Sequence, residues 1–371
     1  MSKIIIFGAQ AIALGTYKAI KKAYPERQVL CFLVSKMGIN ASTLGGLAVK
    51  EIDKFSESLS RSEREKIEVW IATPEPVMPE IEMLLDEYGF CNHKRVTSVL
   101  FAELMEAYFT DSEEFTPLAG LPAAASEHEK EIGDCADNVQ VFMAKFYKDK
   151  QLTGTYSIPK WVTPIQVGAA LCEERVAEIL DCEGENISKK NVNYSELTAL
   201  YWIWKNKLER TSKEDTVKYY GLAHYRRMLS VSEEDVERLF HHDVDAVLPY
   251  PMPYEPSIHA HHERYLKDVD WKALLQALEE LQPEYAKRFP EILEQQFMYN
   301  YNIILAKKEV LRDYCRWLFP ILERTEELSV PKGCDRADRY IGYMGETLTT
   351  LYFMVNRDKF HVVHAGCRFF V

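Results

Sequence analysis

The sequence predicts an α/β protein built of two consecutive units. The first is a Rossmann-like parallel-sheet domain over residues 1–115, the second a further α/β domain over residues 138–371. Three observations carry that reading. The chain has 371 residues, more than one ordinary core holds at about 100–200 residues per domain. Short apolar runs alternate with helical repeats, the pattern of a parallel sheet. Residues 116–137 change character: Thr116-Pro117, Gly120 and Pro122-Ala123-Ala124-Ala125 with a mixture of Glu and Lys read as a linker.

Residues 3–7 form an apolar strand ending at Gly8. A helix with Ile12, Tyr17, Ile20 and Ala23 on its apolar positions follows, broken by Pro25. Val29–Val34 and Val69–Ala72 are further buried strands, and Ile81, Leu84 and Leu85 give the next helix its inward face. The turn after the first strand reads Gly8-Ala9-Gln10, with Gln10 where a dinucleotide fingerprint needs its second glycine. Ser35 and Lys36 stand where the ribose-binding acid belongs, so NAD binding is the weaker expectation.

In the second unit Val139, Val141 and Met143 alternate in a strand that ends at Lys145-Phe146-Tyr147. Asn193 with Glu196 has the spacing of a capping box before a helix carrying Leu197, Leu200, Tyr201 and Trp204. Tyr219–Ala223 is a strand, Ser232 with Asp235 caps a short helix, and Ala246–Leu248 and Tyr301–Ala306 are strands. A long helix through Val310, Tyr314, Trp317 and Leu322 holds Pro320 as a kink. A last helix spans about 343–355, and a final strand 360–363.

Composition removes several classes. A net charge of −12 repels nucleic acid, while leaving room for a local cationic cleft. No apolar run approaches the roughly 20 residues of a membrane helix, and the N-terminus lacks a signal-peptide pattern. The eight cysteines form no CxxC pair, which fits reduced thiols in a cytoplasm.

Three constellations point to chemistry. Gly221-Leu222-Ala223-His224-Tyr225-Arg226-Arg227 ends a strand, the edge at which open α/β sheets bind ligands. Its guanidiniums suit phosphate oxygens, although adjacent strand residues point to opposite faces and one suffices. Asn186, Ser188 and Lys190 offer donors for a base, ribose or phosphate, and a plain polar loop explains them equally. Asp335-Arg336-Ala337-Asp338-Arg339 precedes Glu346, a carboxylate suited to general-base work; taken alone, Glu346 reads more simply as a helix N-terminal acid. His259-Ala260-His261-His262-Glu263 has no period that converges on a metal, and His241-His242 is read the same way. Asp243-Val244-Asp245 spells Asp-x-Asp but precedes its strand instead of following it, so no metal ligands are assigned.

Several of these motifs stand in a familiar order. Pro164–Ala170, Asn186-Ile187-Ser188, Glu196–Asn206, His224–Arg227, Trp317–Leu322 and Arg339–Glu346 resemble the bacterial domain-of-unknown-function family of capsular polysaccharide and exopolysaccharide glycosyltransferases, over about residues 139–360. The resemblance implies a GT-A-like fold with a nucleotide-sugar at the carboxyl edge of the sheet, a uridine donor first among them. It implies a glycan or lipid-linked glycan acceptor and a cytoplasmic, membrane-peripheral setting. Where most such enzymes place Asp-x-Asp, this chain has His224-Tyr225-Arg226-Arg227, so cationic side chains are expected to replace the metal, with a divalent cation as the alternative. Donor contacts then fall to Arg226, Arg227, His224, Tyr225, Asn186, Ser188, Lys190 and Lys145. Acceptor contacts fall to Tyr299, Asn300 and Arg339, and the base is Glu346 or else Asp338.

Overall fold

The computed structural model describes residues 3–370 apart from 111, 113, 124–134, 153, 155 and 211–215. Residues 124–134 of the expected linker therefore lie outside the described residues.

The first sheet contains β1 (Lys3–Phe7), β2 (Gln28–Val34), β3 (Thr43–Leu44), β4 (Leu47–Glu51), β5 (Glu68–Ile71) and β6 (His93–Arg95). Their order is β3-β4-β2-β1-β5-β6, parallel throughout except for the β3–β4 pair. Strand residues alternate between two covered faces, which is why β1 is apolar without interruption. Ile4 and Ile6 pack with Leu14 and Ile20 of the helix Ala11–Ala23, and Ile5 and Phe7 with Met78 and Leu85 of the helix Met78–Glu87. The chain leaves β1 toward β2 and later returns on its other side as β5. The β1–β5 boundary is thus the switch point, where the carboxyl ends of an open sheet leave a crevice.

The second sheet contains β7 (Val139–Lys145), β8 (Val162–Gln166), β9 (Ile179–Leu180), β10 (Tyr219–His224), β11 (Arg227–Leu229) and β12 (Ala246–Pro249). A ribbon of β13 (Met252–Pro253) and β14 (Phe297–Met298) stands apart, and β15 (Ile304–Lys307), β16 (Val362–Ala365) and β17 (Cys367–Phe369) complete the set. The order is β16-β12-β15-β10-β7-β8-β9, with β15 antiparallel to both neighbours and β11 and β17 attached beside β10. The helices Lys308–Leu328 and Tyr340–Val355 cover one face, and Glu233–His241 the other.

The two sheets share a core. Met105, Phe109 and Phe115 belong to the same apolar cluster as the second sheet. Phe109 stacks on Tyr250 with ring centroids 5.6 Å apart, and Phe115 meets His364 edge-on.

Several elements depart from the sequence expectation. The capping box at Asn193 does not form: the Asn193 amide donates to the Gly333 and Arg336 carbonyls, and Ser195 separates two helices, Asn191–Tyr194 and Leu197–Ile203. Tyr301 and Asn302 are not in the strand; both take positive φ, and β15 begins at Ile304. The helix Lys308–Leu328 runs through Pro320 as one element. The last helix starts at Tyr340, which puts Glu346 in its second turn and removes its reading as an N-terminal acid.

Candidate functional site

The β10 strand turns at Tyr225-Arg226 into β11, and His224 pairs directly with Arg227 across the turn. Cross-strand partners share a face, so the turn brings His224 and Arg227 together. Arg226 lies at the tip, and both arginines line the same cavity of about 480 Å³. A straight strand would have sent them to opposite faces. Ala144 and Phe146 from the end of β7, Asp149, Asn191, Ser195 and Arg339 complete its wall.

Among the described residues no carboxylate forms an ion pair with Arg226, Arg227 or Arg339. Arg339 Nε donates to Ser195 Oγ at 2.9 Å, and the Arg227 guanidinium lies 4.3 Å from the Tyr301 ring centroid. Arg336, three residues before Arg339, is the opposite case: it grips Asp270 at 2.6 Å and Asp338 at 2.5 Å. Burial pushes the His224 imidazole down to about 4 and the surrounding guanidiniums add to this, so it is neutral at pH 7. Burial raises Asp149 to about 6, against a hydrogen bond from the Phe146 amide and the nearby cations.

A second cavity, of about 460 Å³, shares Glu196, His224, Arg227 and Arg339 with the first. It holds Glu346, whose carboxyl is pushed up to about 8 by burial and by Glu196. Bonds from Asn300 and from the Tyr301 amide pull the other way. Asn300 Nδ2 donates to Glu346 at 3.1 Å, and Asn302 Nδ2 to Glu196 at 2.8 Å. One short segment therefore orients both carboxylates. Rings line the rest: His261 stacks on Tyr254 at 3.9 Å, and Tyr265 on Tyr343 at 4.7 Å.

Of the five described non-glycine residues with positive φ, three line these cavities, Ser195, Tyr301 and Arg339, and a fourth, Asn302, follows Tyr301 directly. Each such conformation costs about 1–3 kcal/mol and persists because neighbours fix it, a feature that clusters at working sites.

Of the residues picked from sequence, His224, Tyr225, Arg226, Arg227, Asn300, Arg339 and Glu346 come together here. The others lie elsewhere. Asn186 closes its own turn through the Cys182 and Gly184 carbonyls. Ser188 is fully buried and donates to Asp181 Oδ1 at 2.5 Å. Lys190 pairs with Glu326 at 2.5 Å, and Tyr299 donates into the core at His364. Lys145 is passed over by the cavity, whose wall takes its neighbours Ala144 and Phe146. Asp338 is exposed and held by Arg336, outside both cavities. Sequence reasoning missed Asp149 and the carboxylate role of Glu196. The one signal for Glu196 was its position in the motif Glu196–Asn206, read instead as a cap.

Among the described residues no group of three His, Cys, Asp or Glu side chains converges. The Asp-x-Asp triplet is absorbed by Lys307, which reaches Asp243 at 2.8 Å and Asp245 at 2.7 Å.

The family described as Domain of unknown function (DUF4422) matches residues 149–357, more than half of the chain. This chain belongs to that family. No curated protein matches it. Among solved structures, the DUF4422 chain is similar to the apo form of WbbM, a bifunctional glycosyltransferase, at 26% identity and a TM-score of 0.52. That likeness covers 62% of this chain and 45% of WbbM, so it spans less than half of that protein. The Mn/GDP form of core-mannan synthase A from Aspergillus fumigatus matches at 10% identity and a TM-score of 0.21, too distant to bear on the site. The fold is α/β and GT-A-like, as the resemblance implied. No described helix is long and apolar enough to cross a membrane.

Proposed function

We propose that the chain is a glycosyltransferase that moves a sugar from a nucleotide-diphosphate donor, a uridine one first, to a glycan or lipid-linked glycan acceptor in surface-polysaccharide synthesis at the cytoplasmic face of the membrane. In this reading residues 138–371 are the catalytic unit and residues 1–115 its companion. One observation carries the reading: three guanidiniums with no carboxylate ion-pair partner among the described residues line a cavity at the carboxyl edge of a GT-A-like sheet, and its continuation holds a buried, high-pKa carboxylate. WbbM, by its name a glycosyltransferase, supports the class of reaction.

Arg226, Arg227 and Arg339 take the diphosphate with charge-assisted bonds that strengthen as the leaving group gains charge. The acceptor hydroxyl approaches from the second cavity. Its oxygen bonds to the anomeric carbon as the carbon–oxygen bond to the diphosphate breaks, and its proton passes to the Glu346 carboxylate. A base with a pKa near working pH suits that step better than an ordinary carboxylate. Glu196 and Asn300 set the basicity and direction of Glu346. Neutral His224 sits between the cavities as a donor or acceptor that adds no charge.

Thermal stability against UDP, GDP, dTDP and their sugars, with Mn²⁺ or with EDTA, tests the donor site. A ligand at 100 times its Kd stabilises by about 2.7 kcal/mol. The expected result is a shift that survives EDTA and falls to about half or less in Arg226→Ala and Arg227→Ala. A shift that requires Mn²⁺ transfers the diphosphate to a cation, and no shift with any nucleotide removes the transferase reading.

A further inference from the structure

The switch-point crevice of the first sheet opens toward the second unit of the chain. It forms one wall of the cavity that holds Glu346. Gly8 and Gln10 after β1, and Ala72 and Thr73 after β5, line that cavity together with Arg264 and Glu346 from the rest of the chain. Gly8 is explained by packing: at φ +129°, a Cβ there would sit 2.5 Å from the Ala72 carbonyl oxygen, so the glycine closes the β1–β5 boundary and implies no phosphate. Gln10 is the residue that spoiled the dinucleotide fingerprint. Its Oε1 accepts from Arg264 at 2.5 Å, and its Nε2 donates to Asn40 at 2.5 Å, which leaves the second Nε2 hydrogen and the other Arg264 N–H groups as donors for the cavity. The Thr73 hydroxyl is buried with no hydrogen-bond partner among the described residues, an arrangement that costs about 1–3 kcal/mol unless something completes it.

The wall is held in place. The helix Ala11–Ala23 packs on β13, Lys18 reaches Gln296, and the shared aromatic core fixes the sheets to each other. Amide, hydroxyl and guanidinium groups on one side and stacked rings on the other are what a neutral, hydroxyl-rich sugar uses: polar edges for its hydroxyls and flat faces for its C–H surface. The volume of about 460 Å³ falls in the ~300–1,000 Å³ range of small-molecule sites.

We propose that the carboxyl edge of the first sheet is the outer wall of the acceptor subsite, and that Gln10, Thr73 and Arg264 bind sugar hydroxyls of the acceptor glycan. Naming the ligand a glycan acceptor rests on the transferase reading. The first sheet then determines which acceptor is used, while the second determines the donor.

Saturation-transfer NMR with methyl hexosides, methyl hexosaminides and simple disaccharides tests this without requiring turnover. At least one of these binds the full-length protein. Gln10→Ala and Thr73→Val each weaken that binding tenfold or more, with UDP and GDP affinity and Tm held as folding controls. Thr73→Val keeps the side chain's shape and removes only the hydroxyl. Glycoside affinity unchanged in both variants, or no glycoside bound by the wild type, overturns the proposal. Loss of the transferase reading is a separate outcome: glycosides bind and depend on Gln10, but no nucleotide diphosphate binds and no donor sugar is hydrolysed.

Discussion

The loop around Asp181 follows β9 and the hairpin at His224–Arg227 ends β10, two strands of one sheet with β7 and β8 between them, and they dispose of their polar groups in opposite ways. Asp181 is fully buried and accepts from the Gly168 and Ala169 amides, Ser188 Oγ and Thr198 Oγ1. Every group there is answered from within the chain. At the hairpin, Arg226 and Arg227 have no carboxylate partner among the described residues and line a cavity. A polar motif satisfied internally shapes the backbone. One left unsatisfied at a cavity wall is completed by a ligand, because a guanidinium beside low-dielectric walls attracts anions more strongly than one in open water.

Substitutions sharpen or break that contrast. Glu346→Gln has the largest expected effect: transfer falls about 10²–10⁴-fold while nucleotide affinity is retained. Its wild-type activity rises with pH toward about 8, and the variant's residual rate loses that rise. Stability moves the other way. From about pH 4.5 to 8 the unfolded chain releases a proton that the folded one keeps, so this carboxyl lowers stability as pH rises, and Glu346→Gln raises Tm at pH 8. A Tm that falls at pH 8 contradicts the buried-acid account. Asp181→Ala comes next, with a loss of about 3 kcal/mol or more in denaturant unfolding, since several buried donors lose their acceptor at once.

Arg226→Ala and Arg227→Ala should weaken nucleotide diphosphates about 10–100-fold in calorimetry, with Tm of the free protein nearly unchanged. A large drop in that Tm would make the hairpin as structural as the Asp181 loop. Acid treatment probes the buried rings: His224, His262 and His364 are each held down to about 4 by burial. The unfolded chain takes up protons at these groups as pH falls from about 6.5 to 4, so their contribution to stability is lost across that window and Tm falls. The smallest effect belongs to Lys190→Ala. Its half-exposed pair with Glu326 is worth about 0.2–1 kcal/mol, and nucleotide affinity should not move.

The strands were legible because burial on both faces leaves an unbroken apolar signature, as in Ile4-Ile5-Ile6-Phe7. The hairpin was legible as chemistry, since two arginines at a strand end are conspicuous, but the turn that aims both at one cavity was not. Pairings across the chain left no local trace: Asn302 lies 106 residues from Glu196, and Lys190 lies 136 from Glu326. Lys190 therefore looked available when it was paired, and Glu196 looked like a cap when it was a cavity carboxylate. Asp149, between two lysines, resembled an ordinary surface acid. Asn186 and Ser188 carried the family motif without touching the cavity, a distinction that only Asp181 makes visible.

The aromatic seam between the sheets has a consequence for how the protein can be handled and inherited. Phe109 lies flat on Tyr250, and Phe115 fills the space beside Phe297 and His364. Cutting the chain between the halves would strip these rings of cover and leave a sticky surface on each fragment. The halves are consequently poor interchangeable parts: neither can be swapped into another protein without a matching ring-lined face to receive it, and heat should melt them in one step.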